Sequence, residues 1–303
     1  MKIGNVEQAE LYGGGNIRST DVGALKVLLE GREGSLNNFR LFHGETGPEV
    51  KTGFEAPRHR HNFEQFRLPI KGGFEHAPGE MLKEGCVGYF PEGVYYGPQT
   101  RHPGLELLTL QFGGPSRSGY LSSTQRKQGF DKLKNRGTFQ EGFYTWLDGA
   151  GQRHNQDAFE AVWEAQMGRK LVYPKPRYDD LVFMDPAAYE WTPDRKIQGI
   201  FWKHMAAFTE NGTAAGFVLL EPGATLPLRS EDSIDIYYLL SGSVSCGGQS
   251  YGPRHAFARD PSEAGADFQA VGGARLFFAR LPIVTPESNI ARPSAALLAD
   301  IGG

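Results

Sequence analysis

The sequence has few cysteines, no large excess of positive or negative charge, and no long apolar runs. Its two cysteines, Cys86 and Cys246, lie far apart and form no metal-binding or redox motif, which suits a reducing compartment. The net charge of -3 indicates no basic surface for nucleic acid or an anionic membrane. No apolar run approaches the roughly 18 residues that cross a bilayer, and the first residues lack the apolar core of a signal peptide. We therefore expect a cytoplasmic protein with no nucleic-acid or membrane partner.

Glycine and proline are abundant instead, with 40 glycines and 19 prolines among 303 residues. An aromatic content of 12% and a hydrophobic content of 39% argue against disorder. Short apolar runs alternate with turn signals from Ala24 to Gly113, and the pattern resumes from Gly199. Runs of this length, broken by glycine and proline, are typical of strands in a sandwich or barrel. The pattern predicts an all-β fold with a few short helices.

Two helices are predicted between these strand-rich regions. The first lies in SSTQRKQGFDKLKNRG, with a serine cap, Phe130 and Leu133 on one side, and Gly137 as a stop. The second runs from about Gln156 to Met167 and ends at Gly168. A proline-rich connector follows, and the tail after residue 286 is predicted to be a strap with a final helical turn over SAALLAD.

An internal repeat relates the two strand-rich regions. Gly53 placed over Gly223, at a constant offset of 170 positions, also aligns Gly72 with Gly242. The polar residues differ between the copies: His59, His61, Gln65 and Arg67 align with Arg229, Glu231, Asp235 and Tyr237. The repeat predicts one β-domain present twice, with different chemistry in each copy.

The segment FEAPRHRHNFEQFRLPIKGG is the strongest candidate for a functional site. Residues two apart on a strand point the same way, so His59 and His61 would share a face, and Gln65 and Arg67 keep that parity. Two imidazoles and an amide oxygen in one cavity make a plausible ligand set for a divalent metal. The alternative is a set of polar residues on an exposed strand, which a lone His-x-His does not exclude.

The same segment resembles the first motif of the cupin superfamily, in which Gly, His-x-His, Glu and Gly follow at set intervals. The matching residues are Gly53, His59, His61 and Gly72, with Gln65 at the glutamate position. GCVGYFPEGVYY resembles the second motif through Gly85, Pro91 and Gly93, with Tyr96 where the family has histidine. The second copy keeps the spacing of the first motif without its histidines, so the whole chain resembles a bicupin.

This resemblance implies an all-β chain with two double-stranded β-helix (jelly-roll) barrels. The predicted divisions are an N-terminal metal-binding barrel over 1–148, a connector over 149–198, a degenerate barrel over 199–285 and a tail over 286–303. In the second barrel, Arg229, Glu231 and Asp235 predict a self-neutralising structural cluster, and an arginine-centred ligand pocket is the alternative.

The resemblance also implies one divalent metal ion, with His59, His61, Gln65 and Tyr96 as ligands. Tyr96 could instead hydrogen-bond to a metal-bound water or to substrate and act as acid or base, and Tyr95 replaces it if the register slips by one. Arg67 would present a fork to a carboxylate or enolate, or form a salt bridge with Glu64 or Glu106. Gln99, His102 and Gln111 are further candidates for the barrel mouth or interior, with ordinary loop or strand roles as the alternative.

The predicted function is a metal-dependent enzyme acting on a small, anionic metabolite with a carboxylate or vicinal oxygens. A dioxygenase with iron is favoured, and a lyase, isomerase or decarboxylase with zinc, manganese or nickel is the alternative. A non-catalytic small-ligand-binding protein and a metal-free scaffold are the other hypotheses. Because sheet edges of cupin barrels commonly pair between subunits, we expect a homodimer.

Overall fold

In the computed structural model, the structure describes residues 1–12, 24–33, 38–49, 53–118, 120–208, 212–228, 233–261 and 263–282. Arg229, Glu231 and the predicted helical turn in the tail lie outside these residues. Within them the chain is built mainly of strands with two α-helices, which confirms the predicted all-β fold. None of the helices in these ranges has the length and apolar character to span a membrane.

The strands are numbered in chain order: β1 Lys2–Asn5, β2 Ala24–Glu30, β3 Phe39–Glu45, β4 Gly53–Ala56, β5 Glu64–Lys71, β6 Phe74–Ala77, β7 Glu80–Leu82, β8 Val87–Phe90, β9 Gln99–Arg101, β10 Glu106–Phe112, β11 Gly137–Gln140, β12 Phe143–Leu147, β13 Arg153–Asp157, β14 Val182–Met184, β15 Thr192–Pro193, β16 Ile200–Phe208, β17 Thr213–Leu220, β18 Thr225–Leu228, β19 Asp235–Cys246, β20 Gln249–Tyr251, β21 His255–Arg259 and β22 Ala266–Arg280. The helices are α1 Ser123–Leu133 and α2 Ala158–Met167, and a short 3-10 turn covers Pro186–Ala188.

Two barrels account for most of these strands. The first combines a sheet in the order β14-β8-β5-β10-β3-β2 with a sheet in the order β4-β9-β6-β7. The second is one sheet along the path β1-β21-β19-β22-β17-β16-β15, with β18 paired to β22 and β20 paired to β19. Both are antiparallel throughout the pairings that define them.

Strand registers confirm the internal repeat. Gln65 on β5 lies opposite Phe90 on β8 and Gln111 on β10. In the second barrel, Asp235 on β19 lies opposite Arg259 on β21 and Arg280 on β22. Gln65 and Asp235 therefore occupy corresponding places, as the offset of 170 predicts. Gly72 follows the end of β5, and Gly242 lies at a register shift within β19. Both adopt positive φ, 73° at Gly72 and 79° at Gly242.

Two short segments pair with strands of a barrel to which the predicted divisions did not assign them. Lys2–Asn5, inside the predicted range of the first barrel, pairs with β21 of the second. Val182–Met184, inside the predicted connector, pairs with β8 of the first. Each segment satisfies the hydrogen-bonding groups of a strand that would otherwise form an open edge. The chain thus ties the two barrels together at both ends of the first.

An apolar core joins the two barrels face to face. Phe66 and Leu68 on β5 belong to it, as do Phe217 on β17 and Phe277 on β22, and all four are buried. Since side chains alternate along a strand, the neighbours Gln65 and Arg67 face the other side of the sheet, into the first barrel. Packing between the barrels therefore decides which residues of β5 line its interior.

Both predicted helices are present, and the second begins two residues later than expected. Ser122 caps α1 in a reciprocal capping box with Gln125. The Asp157 carboxylate accepts the backbone N–H groups of Phe159 and Glu160 and so starts α2. The preceding residues belong to β13, which pairs with β12 and delays the helix. Gly168 ends α2 at φ 67°, as predicted.

A three-stranded sheet, β11-β12-β13, lies between the helices and was not predicted from the sequence. Its first hairpin turns at Glu141 and Gly142, both with positive φ. Tyr144 and Trp146 on β12 alternate along the strand and stack at 5.3 Å between ring centroids. This alternation of aromatic residues after a glycine turn was the available signal.

The connector is held to the first barrel by a buried ion pair. Arg177 forms a short salt bridge with Glu64 and donates a hydrogen bond of 2.7 Å to the Tyr89 hydroxyl. Tyr89 in turn donates to Glu64 Oε1 at 2.6 Å. Burial raises the pKa of Glu64 from near 4.5 to about 7, although the bonds from Tyr89 and Arg177 work to lower it.

We predict that Glu64→Gln changes the pH dependence of stability. Because the folded-state pKa of Glu64 is raised, the folded protein holds this proton between about pH 4.5 and 7, and the stability of the wild type falls as pH rises through that window. Glu64→Gln removes this pH dependence. As pH rises from about 4.5 to 7, the free energy of unfolding of the variant should therefore increase by up to about 3 kcal/mol relative to that of the wild type. Urea unfolding at a series of pH values measures the difference.

The matched control is Glu141→Gln, which alters an exposed carboxylate in the β11–β12 turn. Its stability should follow the wild-type pH profile in parallel. A Glu64→Gln profile that also runs parallel to wild type would contradict the raised pKa of Glu64.

Candidate metal centre in the first barrel

His59 and His61 converge at the end of the first barrel. They lie in the loop between β4 and β5, where His59 and Tyr96 exchange two backbone hydrogen bonds of 2.9 Å. Both imidazoles are buried, with 5% and 7% exposure. Their Nε2 atoms are 3.1 Å apart. The alternative of polar residues on an exposed strand does not describe this pair.

The spacing of the two nitrogens fits ligands of a single ion. Two nitrogens bound at about 2.0–2.1 Å, with an angle of about 90–110° between them, lie about 2.9–3.4 Å apart. His59 Nδ1 is 2.6 Å from the carbonyl oxygen of Pro57. That carbonyl can only accept, so the proton of His59 resides on Nδ1 and the lone pair on Nε2. The donor atoms present are those that divalent transition metals favour.

Tyr96, Gln65 and Arg67 form a buried cluster beside the histidines. Gln65 Nε2 donates to the Tyr96 hydroxyl at 2.8 Å, and Arg67 Nη2 approaches the same oxygen at 3.4 Å. The Tyr96 ring lies 4.5 Å from the His59 ring and 5.7 Å from the His61 ring, between centroids. The structure therefore brings all five predicted site residues together in one interior.

The amide of Gln65 is turned away from the histidines. Its Oε1 accepts from Arg67 Nη2 at 3.1 Å, Arg67 Nε at 3.3 Å and Gln111 Nε2 at 3.2 Å. An amide ligates metals through oxygen, and this oxygen is already surrounded by donors. In this arrangement Gln65 supports Tyr96 and Arg67 rather than pointing its oxygen at the imidazoles.

Arg67 is buried without an acid to neutralise it. It is 5% exposed, and its guanidinium carbon lies 4.5 Å from the centre of the Phe90 ring. Within the described part of the chain, no carboxylate lies at ion-pair distance from Arg67, and Nη1 has no hydrogen-bond partner. Glu55 attracts it at longer range but is itself paired with Arg101 at 3.0 Å. A buried cation in this state is poised to receive an anion.

The predicted alternative for Arg67, a salt bridge with Glu64 or Glu106, does not occur. Glu64 lies on the opposite face of β5 and pairs with Arg177. Glu106 pairs with Arg254 of the second barrel, with Nη1 2.8 Å from Oε2. Glu64 cannot reach Arg67 because the two residues are three positions apart on β5, and each one-residue step along a strand reverses the side-chain direction.

A chain of polar residues supports Gln65 from behind. Gln111 accepts a hydrogen bond of 2.9 Å from the Tyr120 hydroxyl, which accepts one of 3.1 Å from Arg40 Nε. Arg40 is fully buried and also donates to Leu121 O and Ser123 Oγ at the start of α1. Of these residues the sequence analysis named only Gln111. The available signal was an arginine amid the apolar residues of β3.

Aromatic side chains close the site on the side of His61. The His61 ring lies 4.2 Å from Phe63 and 5.7 Å from Phe159, between centroids. Phe159 is in the first turn of α2 and is 4% exposed. From the sequence, Phe159 was placed only within the second predicted helix, because its contact with the histidine segment joins residues about a hundred positions apart.

The remaining candidates occupy other surroundings. Tyr95 is 45% exposed and lies over the guanidinium groups of Arg58 and Arg60, so it does not share the interior with Tyr96. His102 bonds to Glu75 at 2.7 Å. Gln99 is 1% exposed, and its Nε2 has no hydrogen-bond partner among the described residues.

A second group of potential ligands lies between the barrels. His43 Nε2 is 3.1 Å from Glu45 Oε1 and 3.6 Å from Glu106 Oε2, and the three ligand atoms are close enough to hold an ion. Arg254 already binds both carboxylates from the second barrel. Burial, followed by the charge of Arg254, lowers the pKa of His43 and keeps it neutral. The guanidinium supplies the positive charge that a metal would bring, so this group is an ion-pair network joining the barrels.

The architecture is that of a bicupin, with two cupin barrels in one chain. No protein-family model matches the chain. No curated protein matches it either.

Solved structures share this fold at low sequence identity. A Nostoc punctiforme protein proposed to be a dioxygenase is 14% identical, with a TM-score of 0.58 over 96% of this chain and 84% of that one. Streptomyces albus HEPD, with 2-hydroxyethylphosphonate and Fe(II) bound, is 14% identical, with a TM-score of 0.52 over 99% and 81%. Lactobacillus farciminis oxalate decarboxylase in a formate complex is 12% identical, with a TM-score of 0.52 over 99% and 93%. These similarities concern the fold.

We predict that Tyr120→Phe destabilises the protein by about 1–3 kcal/mol, because it leaves Gln111 Oε1 and Arg40 Nε without a buried partner. The control is Tyr144→Phe, whose hydroxyl makes one bond of 3.2 Å to Leu133 O in a partly buried position. Urea unfolding should show the smaller loss for the control. Equal losses would argue against a specific role for the chain behind Gln65.

Proposed function

We propose that the protein is a metal-dependent enzyme acting on a small anionic metabolite in the first barrel. The observation that carries this proposal is the pairing of two features in one buried space. His59 and His61 direct Nε2 atoms to within 3.1 Å of each other. Arg67 lies 3.4 Å from the Tyr96 hydroxyl beside them, is buried, and has no carboxylate at ion-pair distance in the part of the chain that the structure describes. The first feature suits a metal ion and the second suits the anionic group of a substrate.

One divalent ion would be held by His59 and His61, with Tyr96 as the next candidate ligand. Gln65 would join this set only if its amide rotated, because its oxygen faces Arg67 and Gln111. A metal held by neutral imidazoles supplies Lewis-acid chemistry, or redox chemistry if it is iron. We favour iron, with zinc, manganese or nickel as the alternatives.

Arg67 is proposed to bind and orient the substrate through its guanidinium fork. Its Nη1 lacks a partner in the described structure, and the aromatic rings of Phe74 and Phe90 exclude water around it. A carboxylate or enolate would provide the missing acceptor. Two proteins of the same fold have bound small anions, the phosphonate 2-hydroxyethylphosphonate in one and the carboxylate formate in the other.

Tyr96 is proposed to exchange a proton with the substrate at its phenol oxygen. Gln65 Nε2 and Arg67 Nη2 both direct N–H groups toward that oxygen. Donors of this kind stabilise negative charge on the oxygen when the proton leaves. Phe63 and Phe159 would keep bulk water from the His61 side during this step.

Dioxygenase activity is the reaction class we favour, with a lyase, isomerase or decarboxylase as the alternative. The residues described serve both classes, since each requires a bound metal, an oriented anion and a proton donor. Oxygen consumption separates them, because only the first class consumes dioxygen.

We predict that His59→Ala and His61→Ala each lower the affinity for the metal ion by about tenfold or more, because each removes one of two converging imidazoles. Elemental analysis of protein purified without a metal-affinity tag should find about one transition-metal ion per wild-type chain and much less in both variants.

His102→Ala and Glu106→Gln are the matched controls for this experiment. His102 is a histidine of the same barrel that pairs with Glu75, and Glu106 belongs to the ion-pair network between the barrels. Both should keep the wild-type metal content. Metal lost in Glu106→Gln but kept in His59→Ala would move the site to the inter-barrel group and refute this assignment.

We predict that Arg67→Gln lowers kcat/KM at least about tenfold for whichever acid is turned over, because a charge-assisted bidentate contact contributes about 1.5–3 kcal/mol. Its metal content should stay at the wild-type level. Oxygen uptake with a panel of small aromatic acids and keto acids is the measurement, and Arg58→Gln, at an exposed position, is the control. Unchanged kcat/KM in Arg67→Gln would exclude Arg67 from substrate binding.

A further inference from the structure

The second barrel contains an open cavity of about 690 Å³ at the place that corresponds to Gln65 and Gln111 in the first. Asp235 and Arg280, which line it, occupy the register positions of Gln65 and Gln111. The rest of this barrel is filled by apolar side chains such as Leu239 and Phe257. The cavity is therefore confined to the end of the barrel where the first copy carries its polar site.

Aromatic rings form the walls of this cavity. Trp202, which is half-buried, and His204, which is exposed, lie two residues apart on β16 and both line the cavity. Their rings stack with 12° between planes and 5.6 Å between centroids. Phe278 stands nearly perpendicular to both, at 5.2 Å from Trp202 and 5.8 Å from His204. Flat surfaces meeting at a right angle favour a planar ring, which can stack on one wall and meet the other edge-on.

The phenol of Tyr237 faces the cavity. Tyr237 is 6% exposed and lines the cavity. Among the residues that the structure describes, none forms a hydrogen bond with its hydroxyl. Arg280 satisfies Asp235 through bonds of 2.8 Å and 3.1 Å, so that carboxylate is already neutralised. The phenol is thus available to donate to an acceptor that enters the cavity.

The fixed charges at the cavity favour an anion. The Asp194 carboxylate accepts backbone N–H groups of Lys196 and Ile197 and the indole N–H of Trp202. Across the described residues, neither Arg195 nor Lys196 has a carboxylate within ion-pair distance, and both line the cavity. Among the described lining residues, three cations (Arg195, Lys196 and Arg280) stand against two acids (Asp194 and Asp235), and Asp235 is paired to Arg280.

We infer that the second barrel binds a small aromatic carboxylate. The ring lies against Trp202, His204 and Phe278, and the carboxylate meets the Tyr237 hydroxyl and the Lys196 ammonium group. This site is independent of the proposed metal centre, and it involves binding without a chemical step. The loss of both histidines from the second copy thus accompanies a different binding site rather than a filled barrel.

The test uses benzoate as the probe, with acetate and benzylamine as controls for the ring and for the charge. Saturation-transfer NMR and calorimetry are carried out on wild type and on Arg67→Gln, which disables the proposed anion site of the first barrel. We expect saturable benzoate binding in both proteins, and weaker binding of acetate and benzylamine. Tyr237→Phe and Lys196→Gln should each reduce affinity about threefold to tenfold.

Trp202→Leu removes one stacking wall and should reduce benzoate affinity at least about tenfold. Tyr237→Phe and Lys196→Gln keep the test valid if Trp202→Leu fails to fold, because they retain the shape of the cavity. The inference is overturned if wild type shows no saturable benzoate binding up to millimolar concentration. It is equally overturned if Tyr237→Phe and Lys196→Gln both bind benzoate as wild type does, or if binding disappears in Arg67→Gln.

Discussion

The alternation of side chains along β5 is the constraint on which the rest of the structure depends. Phe66 and Leu68 enter the core between the barrels, so Gln65 and Arg67 must face the interior of the first barrel. A shift of one residue would place the charge of Arg67 in the inter-barrel core and the ring of Phe66 among the polar groups. The packing that joins the two barrels therefore also sets the direction of the functional residues. Stability and site geometry are decided by the same strand.

The two barrels solve the problem of interior polarity in different ways. The first keeps a cation, Arg67, among neutral polar groups and aromatic rings, and no described carboxylate lies at ion-pair distance from it. In the second barrel, Asp235 and Arg280 occupy the positions of Gln65 and Gln111 and form a direct ion pair. An uncompensated buried cation is costly unless a ligand completes it, whereas a closed ion pair is self-sufficient. This difference is consistent with the metal and anion chemistry proposed for the first interior, and with the reversible binding inferred for the second.

Elements outside the barrels complete the first site. α2 places Phe159 against His61, and the start of α1 receives Arg40, the last member of the polar chain that supports Gln65. The connector contributes Arg177, which holds Glu64 on the reverse side of β5. The strand that carries Gln65 and Arg67 is thus supported from both faces. The inserted helices and the connector are part of the site's framework, although they lie outside the repeated unit.

The sequence by itself determined the strand-rich regions, the repeat at an offset of 170, the presence of both helices, the end of the second helix and the grouping of His59, His61, Gln65 and Arg67. These features depend on local periodicity, capping and residue spacing, which are written in short stretches of chain, whereas Tyr96 was added by the family resemblance. The predicted stop of the first helix at Gly137 was wrong, since α1 ends at Leu133 and Gly137 begins β11. Only the tertiary structure decided the direction of the Gln65 amide, the absence of an acid beside Arg67 among the described residues, the approach of Phe159 and the pairing of β1 and β14 with distant strands. Each of these depends on contacts between segments far apart in sequence, and a spacing pattern carries no information on which distant group satisfies a buried donor or acceptor.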